Sequence, residues 1–318
     1  RMGKDCPLTK PAHPICLPFV FPGQGAQYFG MGKDFYESSE DCRRVFDRAS
    51  EITGIDMKAL CFEENDRLNI TEYTQIGLLT TELAILKAVE LTGIRPSVTA
   101  GLSLGEYAAL VASKKLSEDD AMRVVRARGI FMQEAVPVGG AMAAVLGLDF
   151  EKVEEICANT DGIAELANYN CPGQIVISGE EAAVEAASEK LKEAGAKRVA
   201  RLNVSGPFHS SMLKGAGEKL AGPLSKVHFS DSDIPYVANT TAEYVHDASQ
   251  IRDLLIRQVS SSVRWEQSVR KMLADGVDTF IEIGPGKTLA GFMKRIDRKA
   301  VSINIGKVED LEKLKTLQ

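Results

Sequence analysis

Three short strand-like runs, Leu17 to Phe21, Ser97 to Ala100 and Thr279 to Ile283, the first and last of them apolar, each lead into a glycine-containing loop, at Gly23, Gly101 and Gly284. Helix-like stretches separate them: Asp34 to Thr53, Gln75 to Leu91, Glu118 to Glu134, Ser211 to Leu224, Ser249 to Gln258 and Trp265 to Ala274. Short strands that are apolar throughout and alternate with helices build a parallel sheet covered on both faces. Loops at the carboxyl ends of such strands are where open α/β sheets gather their ligand sites. A last helix is expected from Lys287 to Ile296, and turn-rich strands around Pro235 to Val245.

The middle of the chain changes character. Ala141 to Leu148 reads as a strand, Phe150 to Ala158 as a helix, and Ile163 to Asn168 and Gln174 to Ser178 as two further strands. Residues Glu180 to Ala194 then place Ala183, Val184, Ala187, Leu191 and Ala194 on one helical face, Gly195 suits the C-terminal cap, and Lys197 to Val204 returns as a strand. The order β-α-β-β-α-β is that of a ferredoxin-like unit of about 60 residues; a continuation of the main sheet is the alternative. The expected fold is α/β: a hydrolase-like parallel-sheet body, residues 17–140 and 205–310, with an inserted ferredoxin-like subdomain, residues 141–204. Residues 1–16, rich in proline and lacking an initial methionine, read as an N-terminal extension outside the fold.

Composition excludes several function classes. With 318 residues, 44% of them hydrophobic, the chain can bury a large core. No apolar stretch approaches the roughly 18 to 20 residues of a membrane span, so a soluble protein without membrane contact is expected. A net charge of −6 argues against a general nucleic-acid binder. The six cysteines lie far apart without C-x-x-C pairs, which fits a reducing compartment. There is no H-E-x-x-H and no Walker loop, so no metal or cofactor is expected.

The chemistry concentrates at Gly101-Leu102-Ser103-Leu104-Gly105, between a strand-like run and the helix-like run Glu106 to Ala112. That is the setting of a nucleophile elbow, a tight turn that presents a serine hydroxyl out of the fold. A serine needs a base, most often histidine. Of the four histidines, His13 lies in the proline-rich start and His228 and His246 in polar connections, whereas His209 follows Gly206-Pro207-Phe208 where the inserted unit ends. His209 is the best candidate. A Ser-Asp-His hydrolase would place its histidine late in the fold, yet none follows His246, and no third carboxylate stands out. Arg128, with Arg123 and Arg126 close by, is either a solvated charge or a fork that binds a carboxylate. Asn168 and Asn170, beside Cys171-Pro172-Gly173, read as turn stabilisers.

Five blocks carry a resemblance: Phe21-Pro22-Gly23-Gln24-Gly25, Gly101-Leu102-Ser103-Leu104-Gly105-Glu106-Tyr107, Arg128-Gly129-Ile130-Phe131-Met132-Gln133, Gly206-Pro207-Phe208-His209-Ser210 and Glu282-Ile283-Gly284-Pro285-Gly286-Lys287. Together, and in this order, the chain resembles malonyl-CoA:acyl carrier protein transacylases, the malonyltransferases of type II fatty acid synthesis. The resemblance implies ping-pong transfer of a malonyl group from malonyl-CoA, through Ser103, to the phosphopantetheine thiol of acyl carrier protein. It implies His209 as base, oriented by the main-chain carbonyl of Gln258, and backbone N–H groups of Gln24 and Leu104 as oxyanion hole. Arg128 would bind the malonyl carboxylate, and Phe208 matches malonyl-selective rather than methylmalonyl-selective members. The chain departs from many relatives in having Leu102, not histidine, before the nucleophile, which bears on the fine positioning of the elbow. Acyl carrier proteins are acidic, so Lys287, Lys294, Arg295, Arg298 and Lys299 are the expected docking surface. A monomer in the bacterial cytoplasm is expected, with the plastid stroma as alternative location. A serine esterase or thioesterase, or malonyl loading for polyketide synthesis, are the competing functions.

Overall fold

Apolar runs become central strands here because helices cover both faces of the sheet they join. The computed structural model describes residues 16–204 and 206–318. The N-terminal extension expected over residues 1–16, and His13 with it, lies outside the described residues apart from Cys16. Ten strands among the described residues form two sheets: β1 (Pro18–Phe21), β2 (Val98–Gly101), β3 (Gly140–Leu146), β4 (Ala164–Cys171), β5 (Gln174–Glu180), β6 (Arg198–Arg201), β7 (Tyr236–Val237), β8 (Tyr244–Val245), β9 (Thr279–Ile283) and β10 (Val301–Ile305). The larger sheet has the order β10-β9-β1-β2-β7-β8 and is parallel except where β8 pairs with β7.

Strand β1 lies inside this sheet with all four residues buried. Phe19 and Phe21 enter the core on one face and Val20 the core on the other, as the two-residue period of a strand requires. Each such side chain contributes roughly 1.5–3 kcal/mol by leaving water. The helix Thr71–Leu91 packs against the helices Glu40–Thr53 and Glu118–Ala135 and is buried along most of its length, which explains its weak amphipathic pattern.

The inserted unit forms the second sheet, antiparallel, in the order β4-β5-β3-β6. Its helices Phe150–Ala158 and Glu181–Glu193 pack on one core built from residues such as Val145, Val153, Ile177 and Leu191. This is the ferredoxin-like arrangement. It is tied to the body through β4, whose Tyr169 N–H donates to Val263 O (3.0 Å) while Val263 N–H donates to Ala167 O (2.7 Å).

The structure corrects four details. The stretch Asp34 to Thr53 is two helices, Lys33–Ser38 and Glu40–Thr53, because Ser39 is extended (φ −137°) and its hydroxyl caps the second by accepting from Cys42 N–H. The next helix starts at Thr71 rather than Gln75; its N-cap, Ile70, makes no side-chain cap, so no capping signal marks the start. Met57–Phe62 is a further short helix capped by Asp56. The helix Thr288–Ile296 is not terminal: β10 follows and pairs parallel with β9, then a 3₁₀ segment Val308–Leu317. The half-buried pattern of β10 is that of an edge strand.

The junction of β2 with the helix Gly105–Ala112 leaves no room for side chains at its glycines. A Cβ at Gly101 would stand 1.9 Å from the Gly105 carbonyl, and one at Gly105 would stand 2.3 Å from Phe21 O. Among the described residues no helix is long and apolar enough to cross a membrane. Gly105→Ala is expected to lower stability by about 3 kcal/mol or more, because backbone rather than a movable side chain blocks the methyl. Gly215→Ala, with nothing within 4 Å of the added carbon, is expected to be neutral or to stabilise by up to about 1 kcal/mol. Denaturant midpoints compare the two; equal midpoints would contradict the close approach.

Candidate active site

Strand β2 ends at Gly101, and the turn that follows holds Ser103 at φ 56°, a left-handed backbone that costs a non-glycine residue energy. Side-chain amides hold it there. Asn239 Oδ1 accepts from Ser103 N–H (2.7 Å) while its Nδ2 donates to Gly101 O (2.6 Å), and Gln258 Nε2 donates to Ser103 O (2.8 Å). The hydroxyl is thereby presented to the cavity.

His209 also has a positive φ, 57°, and its N–H donates to Val259 O (3.2 Å). Its Nδ1 lies 2.9 Å from the main-chain oxygen of Gln258 and its Nε2 2.7 Å from Ser103 Oγ. A carbonyl only accepts, so Nδ1 carries the proton and Nε2 turns a lone pair toward the serine hydroxyl. Burial, and then the charge of Arg128, push the imidazole down to about 4, against the opposing pull of the Gln258 and Ser261 main chain. The ring is a neutral base at neutral pH.

Arg128, on the helix Glu118–Ala135, overturns the solvated reading: it is 1% exposed. Arg123 faces solvent and Arg126 pairs with Glu72 (3.1 Å), while Arg128 turns inward. Its Nη1 donates to Gln75 Oε1 (2.8 Å), and its Nη2 to Gln258 Oε1 (2.9 Å) and to Ser103 Oγ (3.3 Å). The guanidinium also lies 5.7 Å from the centre of the Tyr107 ring. Burial lowers its proton affinity, yet a guanidinium stays charged. Ser103 Oγ thus accepts from a cation and donates to a base.

Gln258 ends the helix Ile251–Gln258 and is 1% exposed, not the exposed polar helix end that its place at a helix terminus suggests. Both its main chain and its amide are engaged. Gln24 follows β1, with its Nε2 donating to Thr71 Oγ1 (3.1 Å), and Leu104 follows Ser103; both line the cavity beside the hydroxyl. Among the described residues neither amide N–H has a hydrogen-bond acceptor. Below the elbow, Glu106 is fully buried and accepts from Asn239 N–H (2.7 Å) and Gln258 Nε2 (3.1 Å). Burial pushes its carboxyl up to about 8, against the pull of these donors and of Arg128.

The cavity has a volume of about 280 Å³ and lies between the body and the inserted unit. The body supplies Leu102, Met132, Phe208 and Phe292; the small sheet and its return supply Met142, Val176, Leu202 and Val204. Asn168 and Asn170, expected to stabilise a turn, instead sit in β4 and line the cavity. Register irregularities between Leu166 and Asn168 and between Tyr169 and Cys171 re-aim this strand. Asn170 Oδ1 is buried without a partner. His228 and His246 are exposed on the surface. Among the described residues no cluster of three or more His, Cys, Asp or Glu could hold a metal ion.

Sequence reasoning did not single out Gln75, Asn239 or Glu106. Glu106 alone carried a signal, a carboxylate at the start of the otherwise apolar helix Gly105–Ala112. The residues Lys287, Lys294, Arg295, Arg298 and Lys299 are all exposed, on and around the helix Thr288–Ile296, whose Thr288, Leu289 and Phe292 line the cavity. None of the five takes part in an ion pair among the described residues.

A sequence profile of the acyl transferase domain matches residues 18–308. The malonyl CoA-acyl carrier protein transacylase of Bacillus subtilis (strain 168) is 47% identical over 301 residues, covering 93% of this chain and 95% of that protein. The crystal structure of malonyl CoA-acyl carrier protein transacylase from Clostridium perfringens superposes with a TM-score of 0.90 at 46% identity, covering 95% of this chain and 96% of that one. A malonyl-transacylase solved in complex with a type II PKS acyl-carrier protein superposes with a TM-score of 0.92 at 38% identity, over 95% of this chain and all (100%) of that one. The chain belongs to the acyl transferase family.

Proposed function

We propose that this enzyme transfers the malonyl group of malonyl-CoA to the phosphopantetheine thiol of an acyl carrier protein, through a malonyl ester of Ser103, supplying fatty acid synthesis in the bacterial cytoplasm. The observation that carries this reading is a buried guanidinium 3.3 Å from a serine hydroxyl that is itself 2.7 Å from a histidine. A hydrolase of simple esters has no use for a buried cation beside its nucleophile; a substrate that brings its own carboxylate does. The relatives named as malonyl CoA-acyl carrier protein transacylases support the same substrate.

In the proposed cycle His209 Nε2 takes the hydroxyl proton as Ser103 Oγ attacks the thioester carbonyl. The carbonyl oxygen becomes an oxyanion facing the amides of Gln24 and Leu104, where losing one donor typically costs about 10²- to 10³-fold in rate. The C–S bond breaks, the coenzyme A sulfur leaves with the proton from His209, and the malonyl ester remains. The carrier thiol then gives its proton to Nε2 and attacks the ester, and Ser103 leaves reprotonated. No net proton is consumed.

Arg128 pairs with the distal malonyl carboxylate, and Phe208 narrows the space beside it. Acetyl would leave the guanidinium without its anion, and sites deprived of a required polar partner discriminate by roughly 10⁴-fold. Leu102 contributes only an apolar wall, so its replacement of histidine leaves nucleophile, base and oxyanion donors in place. The exposed cations Lys287, Lys294, Arg295, Arg298 and Lys299, on and around a helix that lines the cavity, give the acidic carrier a docking surface.

Arg128→Ala is expected to lower malonyl transfer roughly 10²- to 10⁴-fold while acetyl transfer falls far less, measured as kcat/KM with both acyl-CoA donors. Equal losses would refute the carboxylate assignment. The acid limb of kcat/KM for malonyl-CoA is expected near pH 4, because the base is active while unprotonated and is lost only as pH falls through the lowered imidazole value of about 4. A limb centred near pH 6.5, the ordinary histidine value, would contradict the buried base. Reversing Lys294 and Arg295 to Glu is expected to raise KM for the carrier about tenfold at low salt and to flatten its salt dependence, with malonyl-CoA kinetics unchanged. Unaltered carrier kinetics would remove the docking surface.

A further inference from the structure

Arg128 is a buried charge that makes no ion pair with a carboxylate among the described residues. Its direct partners are the neutral oxygens of Gln75, Gln258 and Ser103. A carboxylate placed against the guanidinium would fill the fork the substrate needs, so a different device has to hold it still.

Donor and acceptor logic identifies the device. A guanidinium only donates, so Gln258 must show it Oε1. The Nε2 of the same amide then faces three acceptors: Ser103 O at 2.8 Å, Glu106 Oε2 at 3.1 Å and Asn239 Oδ1 at 3.3 Å. Turning the amide over would set NH₂ against guanidinium and oxygen against three oxygens. Asn239 is already committed, with Oδ1 accepting from Ser103 N–H and Nδ2 donating to Gly101 O. Glu106 takes the main-chain N–H of Asn239 on its other oxygen. Both of its oxygens therefore face donors, so it accepts on both sides when ionised and, when protonated, must point its hydroxyl hydrogen away from both.

We propose that Glu106 is a positioning residue that fixes the polarity of the Gln258 amide and thereby keeps Arg128 in register with Ser103. The proposal rests on the reading of Arg128 as the malonyl carboxylate site. Glu106 touches neither substrate nor the reacting atoms. Its influence passes through one amide, whose two ends reach the acyl-binding cation and the carbonyl of the nucleophile's own residue. A glutamine in its place has the same shape but one acceptor and one donor. If its oxygen keeps the Asn239 N–H, its NH₂ meets the NH₂ of Gln258, and the relay must turn or break.

The test compares Glu106→Gln, Glu106→Asp, Gln258→Met and Arg128→Ala by kcat/KM for malonyl- and acetyl-CoA, with thermal melts confirming the fold of each. Glu106→Gln is expected to lower malonyl transfer at least about tenfold and acetyl transfer less than about threefold, so that the malonyl-to-acetyl ratio falls. Glu106→Asp keeps two acceptors on a shorter arm and is expected to hold the ratio while both rates drop. Gln258→Met keeps the main-chain carbonyl for His209 but removes the amide, and is expected to lower the ratio like Glu106→Gln; it serves as the decisive variant should Glu106→Gln not fold. An unchanged ratio in folded Glu106→Gln or in Gln258→Met, or an equal fall in Glu106→Asp and Glu106→Gln, overturns the proposal. An unchanged ratio in Arg128→Ala overturns the reading of Arg128 itself.

Discussion

A guanidinium sealed from water next to a serine hydroxyl sets the terms for everything around it. Moving an ion out of water costs several kcal/mol even after relaxation, so the surroundings must supply dipoles that substitute for solvent. Here Gln75, Gln258 and the face of Tyr107 do so. The same positive charge disfavours a second proton on His209 and favours negative charge on Ser103 Oγ. One cation thus shapes nucleophile and base together, before any substrate is present.

The architecture explains how so polar a cluster survives in an apolar interior. Parallel strands deliver Gln24 and Ser103 to neighbouring carboxyl ends, because β1 and β2 pair in register from Pro18 opposite Val98 to Phe21 opposite Gly101. Helix ends bring Gln258, and the segment leaving the inserted unit brings His209. The small sheet then closes the other side of the cavity with mostly apolar side chains. The body therefore carries the polar cluster, while the insertion supplies most of a wall. Of the four non-glycine residues with a left-handed backbone among the described residues, two, Ser103 and His209, lie in this cluster, and each is fixed by hydrogen bonds from distant segments.

Much of this was legible in the chain. Apolar runs followed by glycine loops predicted the central strands, and the alternation of periods predicted the inserted β-α-β-β-α-β unit. Ser103 and His209 stood out because an elbow and a scarcity of histidines are visible in one dimension. Arg128 stood between two readings, a solvated charge and a carboxylate fork: its neighbour Arg123 is exposed and Arg126 half-buried, and only packing against the helix Thr71–Leu91 reveals that Arg128 points inward. Gln75 and Asn239 were silent for the same reason, since a glutamine in a helix and an asparagine in a turn are ordinary until their partners from 53 and 136 positions away are known. The edge strand β10 was missed although Val301, Ile303 and Ile305 alternate strictly with Ser302 and Asn304, a two-residue period that the chain does carry. Asn168 and Asn170 were misread because a strand irregularity, not a turn, decides where they point.

The histidine leans on a peptide oxygen where many serine enzymes offer it an aspartate, and this choice bears on what the ring does once it is protonated. A carbonyl dipole stabilises imidazolium less than a full negative charge would, leaving a feeble proton acceptor. A ring that holds its proton so weakly is, once protonated, a correspondingly strong acid. The return of that proton to whichever atom departs beside the ring then comes easily: what the missing anion takes from the uptake step it gives back at release.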